Sequence, residues 1–333
     1  MIDLDVRIDS SLQEDDYRYL ADIAKVPLKD DFPNGYVLRY DIATKEDYDN
    51  ARRLALMYLQ SEEAIKYAVK SVISRLYKNN YVYVELSFTP WLYSRNNYRQ
   101  HQLISFVVDT VMEEMEKHEG LIVNIVLYCH RDAPLAYNKE TVKFARLFMN
   151  GRVVGVGLEG EDSGKKVSSY KALFEPARNA GLPIAIELGH NYNSNLSILH
   201  ALDLGAKRII APYKIEKDMK TIQELHKHNA HLEFRPSLDI MYGFNDKIEN
   251  LHLREYVESG LPVFISGCAY YIADASMERE CTHLIHSDDF KRHELQQLLL
   301  NGLAAGFEKN LKVKAKVIKE YTKLFDDFYF KVY

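Results

Sequence analysis

Cysteine is scarce in this chain: Cys129, Cys268 and Cys281 are the only three in 333 residues, and they stand far apart. That spacing argues against a disulfide framework and against a zinc ribbon, and it fits a reducing compartment. No apolar run reaches 18 residues, which argues against a helical membrane span. A basic excess is also missing. Lys and Arg total 43 against 48 Asp and Glu, a formal charge of −5, so the electrostatic footprint of a nucleic-acid binder is absent. The chain opens on strand-like sequence, Ile2–Ile8, without a basic-then-apolar leader. No low-complexity or Gly/Ser-rich stretch divides it. The expectation is a soluble, cytoplasmic protein of one domain, residues 1–333, with no nucleic-acid or membrane partner. The 24 tyrosines show no period and read as packing and surface residues.

Hydrophobic residues make up 47% of the chain, ample for one large core. Apolar runs suited to strands alternate with longer segments of helical period. The candidate strands are Ile2–Ile8, Tyr81–Phe88, Leu121–Tyr128, Arg152–Leu158, Pro183–Glu187, Lys207–Ile210, His231–Phe234 and Pro262–Ser266. Between the first two, Ile65, Ala68, Val69, Val72, Ile73 and Leu76 recur at helical spacing, with Ser61 placed as N-cap. Gly181 and Gly260 follow helical segments where a left-handed C-terminal turn is expected. Eight strand–helix alternations imply parallel strands with crossover helices, closed as a (β/α)₈ TIM barrel. Leu295–Phe307 and Val313–Phe325 read as extra helices outside it. The insert from Gln13 to Asn50 reads as irregular, a flap over the mouth.

Alternation within the strands is more informative. Successive strand side chains point to opposite faces. Ile2, Leu4, Val6 and Ile8 share one face of the first strand; Asp3, Asp5, Arg7 and Asp9 share the other. The pattern recurs with Tyr83, Glu85 and Ser87, with Gly155, Gly157 and Glu159, and with His231, Glu233 and Arg235. A barrel strand lays its outer face against apolar helices, so the charged faces look inward. Barrel interiors are ordinarily filled by Val, Ile and Leu, and unpaired buried charges are costly. A polar site at the C-terminal mouth accounts for the pattern.

Four segments, in order along nearly the whole chain, carry a resemblance: Tyr81–Pro90 (YVYVELSFTP), Val153–Asp162 (VVGVGLEGED), His231–Ser237 (HLEFRPS) and Leu261–Ser266 (LPVFIS). Together they resemble the second, fourth, seventh and eighth strands of the adenosine and AMP deaminases. That resemblance implies a zinc ion held by a His-x-His pair, a further His and an Asp, lowering the pKa of a water that attacks the purine ring. Placed on this chain, the His-x-His pair falls on Asp5 and Arg7. The fifth-strand His-Ala-Gly-Glu falls on Glu187–His190, so the metal His becomes Glu187 and the catalytic Glu becomes His190. The sixth-strand His falls on Ala211, with Arg208 and Ile209 retained. The eighth-strand Asp-Asp falls on Cys268 and Ala269. Gly160, which lies against the nucleoside in active relatives, is retained. A guanidinium does not ligate zinc, so the resemblance predicts no zinc, no other cofactor and no ordinary deamination. An internal salt bridge of Arg7 with Asp5 and Glu187 is expected as the counter-charge in its place.

The candidate ligand-binding residues are therefore Asp5, Arg7, Gly160, Glu187 and His190, and the catalytic candidates are His190, Glu187 and Cys268. For Asp5, Arg7 and Glu187 a buried ion pair without a ligand is an equal alternative. His190 also reads as a plain surface histidine, and Cys268 as a small buried hydrophobe. Glu85 and Glu233 read as structural, and Cys129–Arg131 as a candidate stretch of pocket wall. His283 and His286 have no third ligand nearby and read as a solvated helix face, as does the basic run Lys309–Lys319. Three functions follow from these residues. The first is a pseudo-deaminase that binds a purine nucleoside or nucleotide without turnover. The second is an enzyme with a rebuilt metal or acid–base site acting on a purine. The third is a structural or regulatory partner subunit with no small ligand, in a homo- or hetero-oligomer.

Overall fold

The structure is a computed structural model that describes residues 1–29, 32, 36–162, 164–189, 191–216, 218–288 and 290–332, with side chains as far as residue 322. Eight parallel strands run in chain order: β1 (Ile2–Arg7), β2 (Tyr83–Phe88), β3 (Ile122–His130), β4 (Val153–Glu159), β5 (Ile184–Glu187), β6 (Ala206–Ile210), β7 (His231–Phe234) and β8 (Val263–Ile265). Each lies within two residues of its predicted bounds. At the seam between β8 and β1, the Arg7 amide donates to the Cys268 carbonyl at 3.3 Å. The Gly267 amide likewise donates to Asp3 Oδ2 at 2.9 Å. The fold is a TIM-barrel-like α/β architecture.

The outer strand faces carry the core. Leu4, Val6, Val84, Leu86, Val156 and Leu158 are at most 1% exposed, each burial stabilising by roughly 1.5–3 kcal/mol. They pack against helices of the expected period. The helix Glu62–Lys78 starts at Ser61, whose hydroxyl accepts from the Ala64 amide, and buries Ile65, Val69, Val72 and Leu76 on one stripe. Gly181 and Gly260 adopt φ of +66° and +78°, as their place after helices requires.

Two elements differ from expectation. Gln13–Asn50 is not wholly irregular: Glu14–Ala24 is a helix, and the helix Lys45–Tyr58 begins within it on the Thr44 cap. Their apolar positions are spaced by acidic and basic residues, which masks the period. Phe307 is not helical. The helix Arg292–Ala305 ends before it, and Phe307 turns in to plug the base of the barrel. A Cβ on Gly155 would run into its ring, its amide donates to Glu85 Oε1 at 2.6 Å, and the Arg208 guanidinium covers its ring at 3.9 Å. No helix among the described residues is long and apolar enough to cross a membrane.

Candidate functional site: the barrel mouth

The inward faces of the strands form two charged layers. The lower layer is a closed pair: Arg208 Nη2 donates to Glu85 Oε2 at 2.6 Å and Nη1 to the Leu4 carbonyl at 2.9 Å. Glu85 also accepts from Tyr83 at 2.5 Å. Glu233 accepts from Ser266 Oγ at 2.6 Å, and burial followed by the nearby Asp5 raises its pKa to about 8. Arg208, Glu85 and Glu233 are fully buried, and neither glutamate lines the cavity at the mouth.

The upper layer is built around three arginines. Arg7, at the end of β1, places Nη2 3.3 Å from Glu187 Oε2 and 3.6 Å from Glu159 Oε2, with Nε 3.7 Å from Asp5 Oδ2. Arg235, following β7, places Nη1 2.9 Å from the other Glu187 oxygen. Arg52, from the helix Lys45–Tyr58, reaches Asp9 at 3.1 Å and Glu159 at 3.3 Å, and Thr89 Oγ1 donates to Glu159 at 2.5 Å. Burial disfavours charge on both glutamates, yet the guanidiniums prevail. Arg52 and Arg7 hold the Glu159 carboxyl well below the usual range, and Arg235 and Arg7 hold Glu187 below it. The expected Arg7–Asp5–Glu187 cluster is therefore present, enlarged by Glu159, Arg52 and Arg235.

A cavity of about 210 Å³ opens above this layer. Arg7, Arg52, Glu159 and Glu187 form its charged floor, and Tyr242 and Phe244 an aromatic wall, the two rings crossing at 88° with centroids 5.6 Å apart. Lys45, Asp49, Asp132 and Glu161 stand at the rim, Lys45 bridging Asp49 and Glu161. Five carboxylates face three cations around the lining. Gly160 lines the cavity with φ of +97°, and a Cβ there would meet His130 Nε2 at 3.0 Å. Burial, the largest influence, lowers the pKa of the His130 imidazole. Arg131 ties the floor together, donating to the Gly160 and Glu187 carbonyls at 2.5 Å each.

The predicted site residues thus divide. Arg7, Gly160 and Glu187 meet at the cavity. Asp5 does not reach its wall: it lies beneath Arg7, 1% exposed, and accepts from Ser87. Cys268 does not line the cavity: it packs with Tyr48, Ala51, Leu238 and Met241 beside Asp5 and Arg7, and burial pushes its thiol pKa well up. His190 lies outside the described residues. Its flanks are fixed, however: Asp162 accepts from the Asn191 and Tyr192 amides at 2.8 and 3.0 Å. Of the Cys129–Arg131 stretch, His130 lines the cavity and Cys129 is buried in the core. His283 is no free surface residue: Nδ1 meets Ser237 Oγ at 3.2 Å and Glu280 at 3.9 Å. Lys45, Arg52 and the Tyr242–Phe244 wall were missed. Arg52 lies two residues past the insert read as irregular, on a helix whose first residues, Lys45 to Asn50, fall inside it. The signal available was the capping pattern of Thr44 and Asp47 ahead of it.

Among the described residues, no three His, Cys, Asp or Glu side chains converge as a metal site. Fold and site together define a TIM-barrel-like α/β protein with a polar pocket at the C-terminal ends of its strands. The family model described as adenosine deaminase matches residues 39–323, and the chain belongs to that family. It is 24% identical to an adenosine deaminase of Haemophilus ducreyi over 279 residues, 83% of this chain and 81% of the relative. Among solved structures it resembles an adenine deaminase from Arthrobacter aurescens, with TM-score 0.82, 20% identity and 98% of each chain covered. It also resembles Arabidopsis ADAL complexed with IMP, with TM-score 0.83, 17% identity and coverage of 98% and 97%.

Proposed function

We propose that this chain is a non-deaminating member of its family that binds a purine nucleoside or nucleotide in the barrel mouth without zinc. The reading rests on Glu187. Both of its carboxylate oxygens are held by guanidiniums, Oε2 by Arg7 at 3.3 Å and Oε1 by Arg235 at 2.9 Å. The family's first-strand ligand pair falls on Asp5 and Arg7, and its fifth-strand ligand on Glu187. A divalent ion at that carboxylate would stand against two fixed positive charges that cannot deprotonate. The donor set does not fit zinc. The cations already present neutralise the floor that a metal would otherwise neutralise.

What remains is a shaped polar cavity with one aromatic wall, a construction suited to a planar base. Tyr242 and Phe244 line one side, Phe244 with one ring face already stacked on Tyr213 at 3.6 Å; Glu159 and Glu187 offer acceptors, and Gly160 leaves space where a side chain would intrude. The rebuilt-enzyme alternative loses its nucleophile, since Cys268 is buried, protonated and outside the cavity lining. Calorimetric titration of the purified chain with adenosine, inosine, AMP and IMP tests the binding. Metal analysis and conversion of adenosine to inosine test the rest. We expect heat with at least one purine, no inosine and no stoichiometric zinc. Tightly held zinc with turnover would overturn the reading.

A further inference from the structure

The opposite end of the barrel holds a second cavity, of about 260 Å³. It lies between the N-terminal ends of β5 to β7 and the segment that leaves the helix Arg292–Ala305. Lys207, Lys309, Lys314 and His231 line it, with Phe307 and Glu308 closing one side. Lys207 is the second residue of β6 and His231 the first of β7, so the topology alone puts them at one edge.

The three ammonium groups have no carboxylate partner among the described residues. Each donates instead to a backbone carbonyl: Lys207 to His228, Lys309 to Gly181, and Lys314 to Gly306 at 3.2 Å. A carbonyl is neutral and takes one of the three N–H groups an ammonium carries, so these contacts supply no counter-charge. Glu308 is the lone acid on the wall, and its oxygens already accept from Asn124 Nδ2 at 3.1 Å and the Asn310 amide at 2.8 Å.

His231 adds a second, independent observation. Its side chain faces this cavity while the residue is only 7% exposed, and it makes no hydrogen bond among the described residues. Burial, then the neighbouring Arg208, His226 and Lys314, lower its pKa to about 4. At neutral pH it is therefore an uncharged imidazole with one N–H to give. That N–H has no partner among the described residues and faces the cavity, where it can donate to a ligand oxygen. Arg208 pairs in register with His231 from below, its own charge paired with Glu85.

We propose that this lower cavity binds a phosphate group, free or as the monoester of a small metabolite. The ammoniums of Lys207, Lys309 and Lys314 supply the charge, and His231 supplies the directional donor. Charge-assisted hydrogen bonds of this kind are the strong ones. This site is independent of the mouth and of any purine bound there.

Titration of the whole chain with inorganic phosphate and with ribose 5-phosphate, at constant ionic strength held with chloride, tests it. We expect saturable binding of at least one, weakened about tenfold or more in Lys207→Met/Lys314→Met and severalfold in His231→Gln. Tighter binding of ribose 5-phosphate would assign the site to a metabolite, and equal binding to phosphate itself. Lys309→Met alters an exposed side chain and keeps the test open should the double variant not fold. A response to phosphate no greater than to chloride, or unchanged in all three variants, would overturn the proposal. Purine binding at the mouth is unaffected by these changes and separates the two sites.

Discussion

Arg7 and Glu187 stand 180 positions apart in the chain and meet at 3.3 Å in the mouth of the barrel. Arg7 is 3% exposed and Glu187 7%, so their charges compensate each other with little help from water. Arg235 completes the arrangement by holding the second Glu187 oxygen.

Removing Arg7 leaves Glu187, Glu159 and Asp5 facing one another without their shared partner. Arg7→Met is expected to lower unfolding free energy by about 3–5 kcal/mol, the cost of an unpaired buried charge. Denaturant titration measures it. A change within about 0.5 kcal/mol would mean that Arg52 and Arg235 alone neutralise the floor.

The lower layer offers a parallel test with a different outcome for the double variant. Glu85→Gln strands the fully buried Arg208 and is expected to destabilise by about 3–5 kcal/mol. Glu85→Leu combined with Arg208→Met removes both charges and is expected to cost less than Glu85→Gln alone. A double variant as unstable as the sum of its singles would show that the pair is not coupled.

Stability against pH has two opposed parts. Burial raises Glu233 to about 8 and Asp239 to about 7, above their ordinary values of 4.5 and 3.8. Between those limits the folded chain binds more protons than the unfolded one, so stability declines as pH rises toward 8. Glu159 and Glu187 are lowered instead; their contribution is complete above about pH 4.5 and is lost in acid. The melting temperature should therefore be higher at pH 6 than at pH 8.5, and Glu233→Gln should narrow that difference. An equal melting temperature at both values would contradict the burial of uncompensated acid at Glu233.

Gly160 tests the mouth itself. Its φ is +97°, and a methyl group on its Cα would stand 3.0 Å from His130 Nε2. Gly160→Ala is expected to cost about 1–2 kcal/mol through backbone strain. It should also weaken purine binding about tenfold by narrowing the cavity. Calorimetry on a variant that still melts cooperatively reads the two effects separately; undiminished affinity would remove Gly160 from the ligand's surroundings.

All three thiols are buried and pushed up in pKa. A thiol reagent at pH 8 is expected to modify none of them in the native chain and all three in denaturant. Rapid native labelling of Cys268 would restore it as a candidate nucleophile.

Much of this protein was readable from local patterns. Period-two alternation placed Arg7, Glu85, Glu159, Glu233 and Arg235 on inward faces, because side-chain direction along a strand depends only on the backbone pleat. Helical period and caps located the outer helices for the same local reason. Which inward charges meet was decided by tertiary structure. Register and barrel closure bring β1 beside the end of β8 and across from β5, and they admit Arg52 from a helix and Phe307 from the segment after one. Those contacts join residues far apart in the chain, and their energies depend on desolvation that no local window contains.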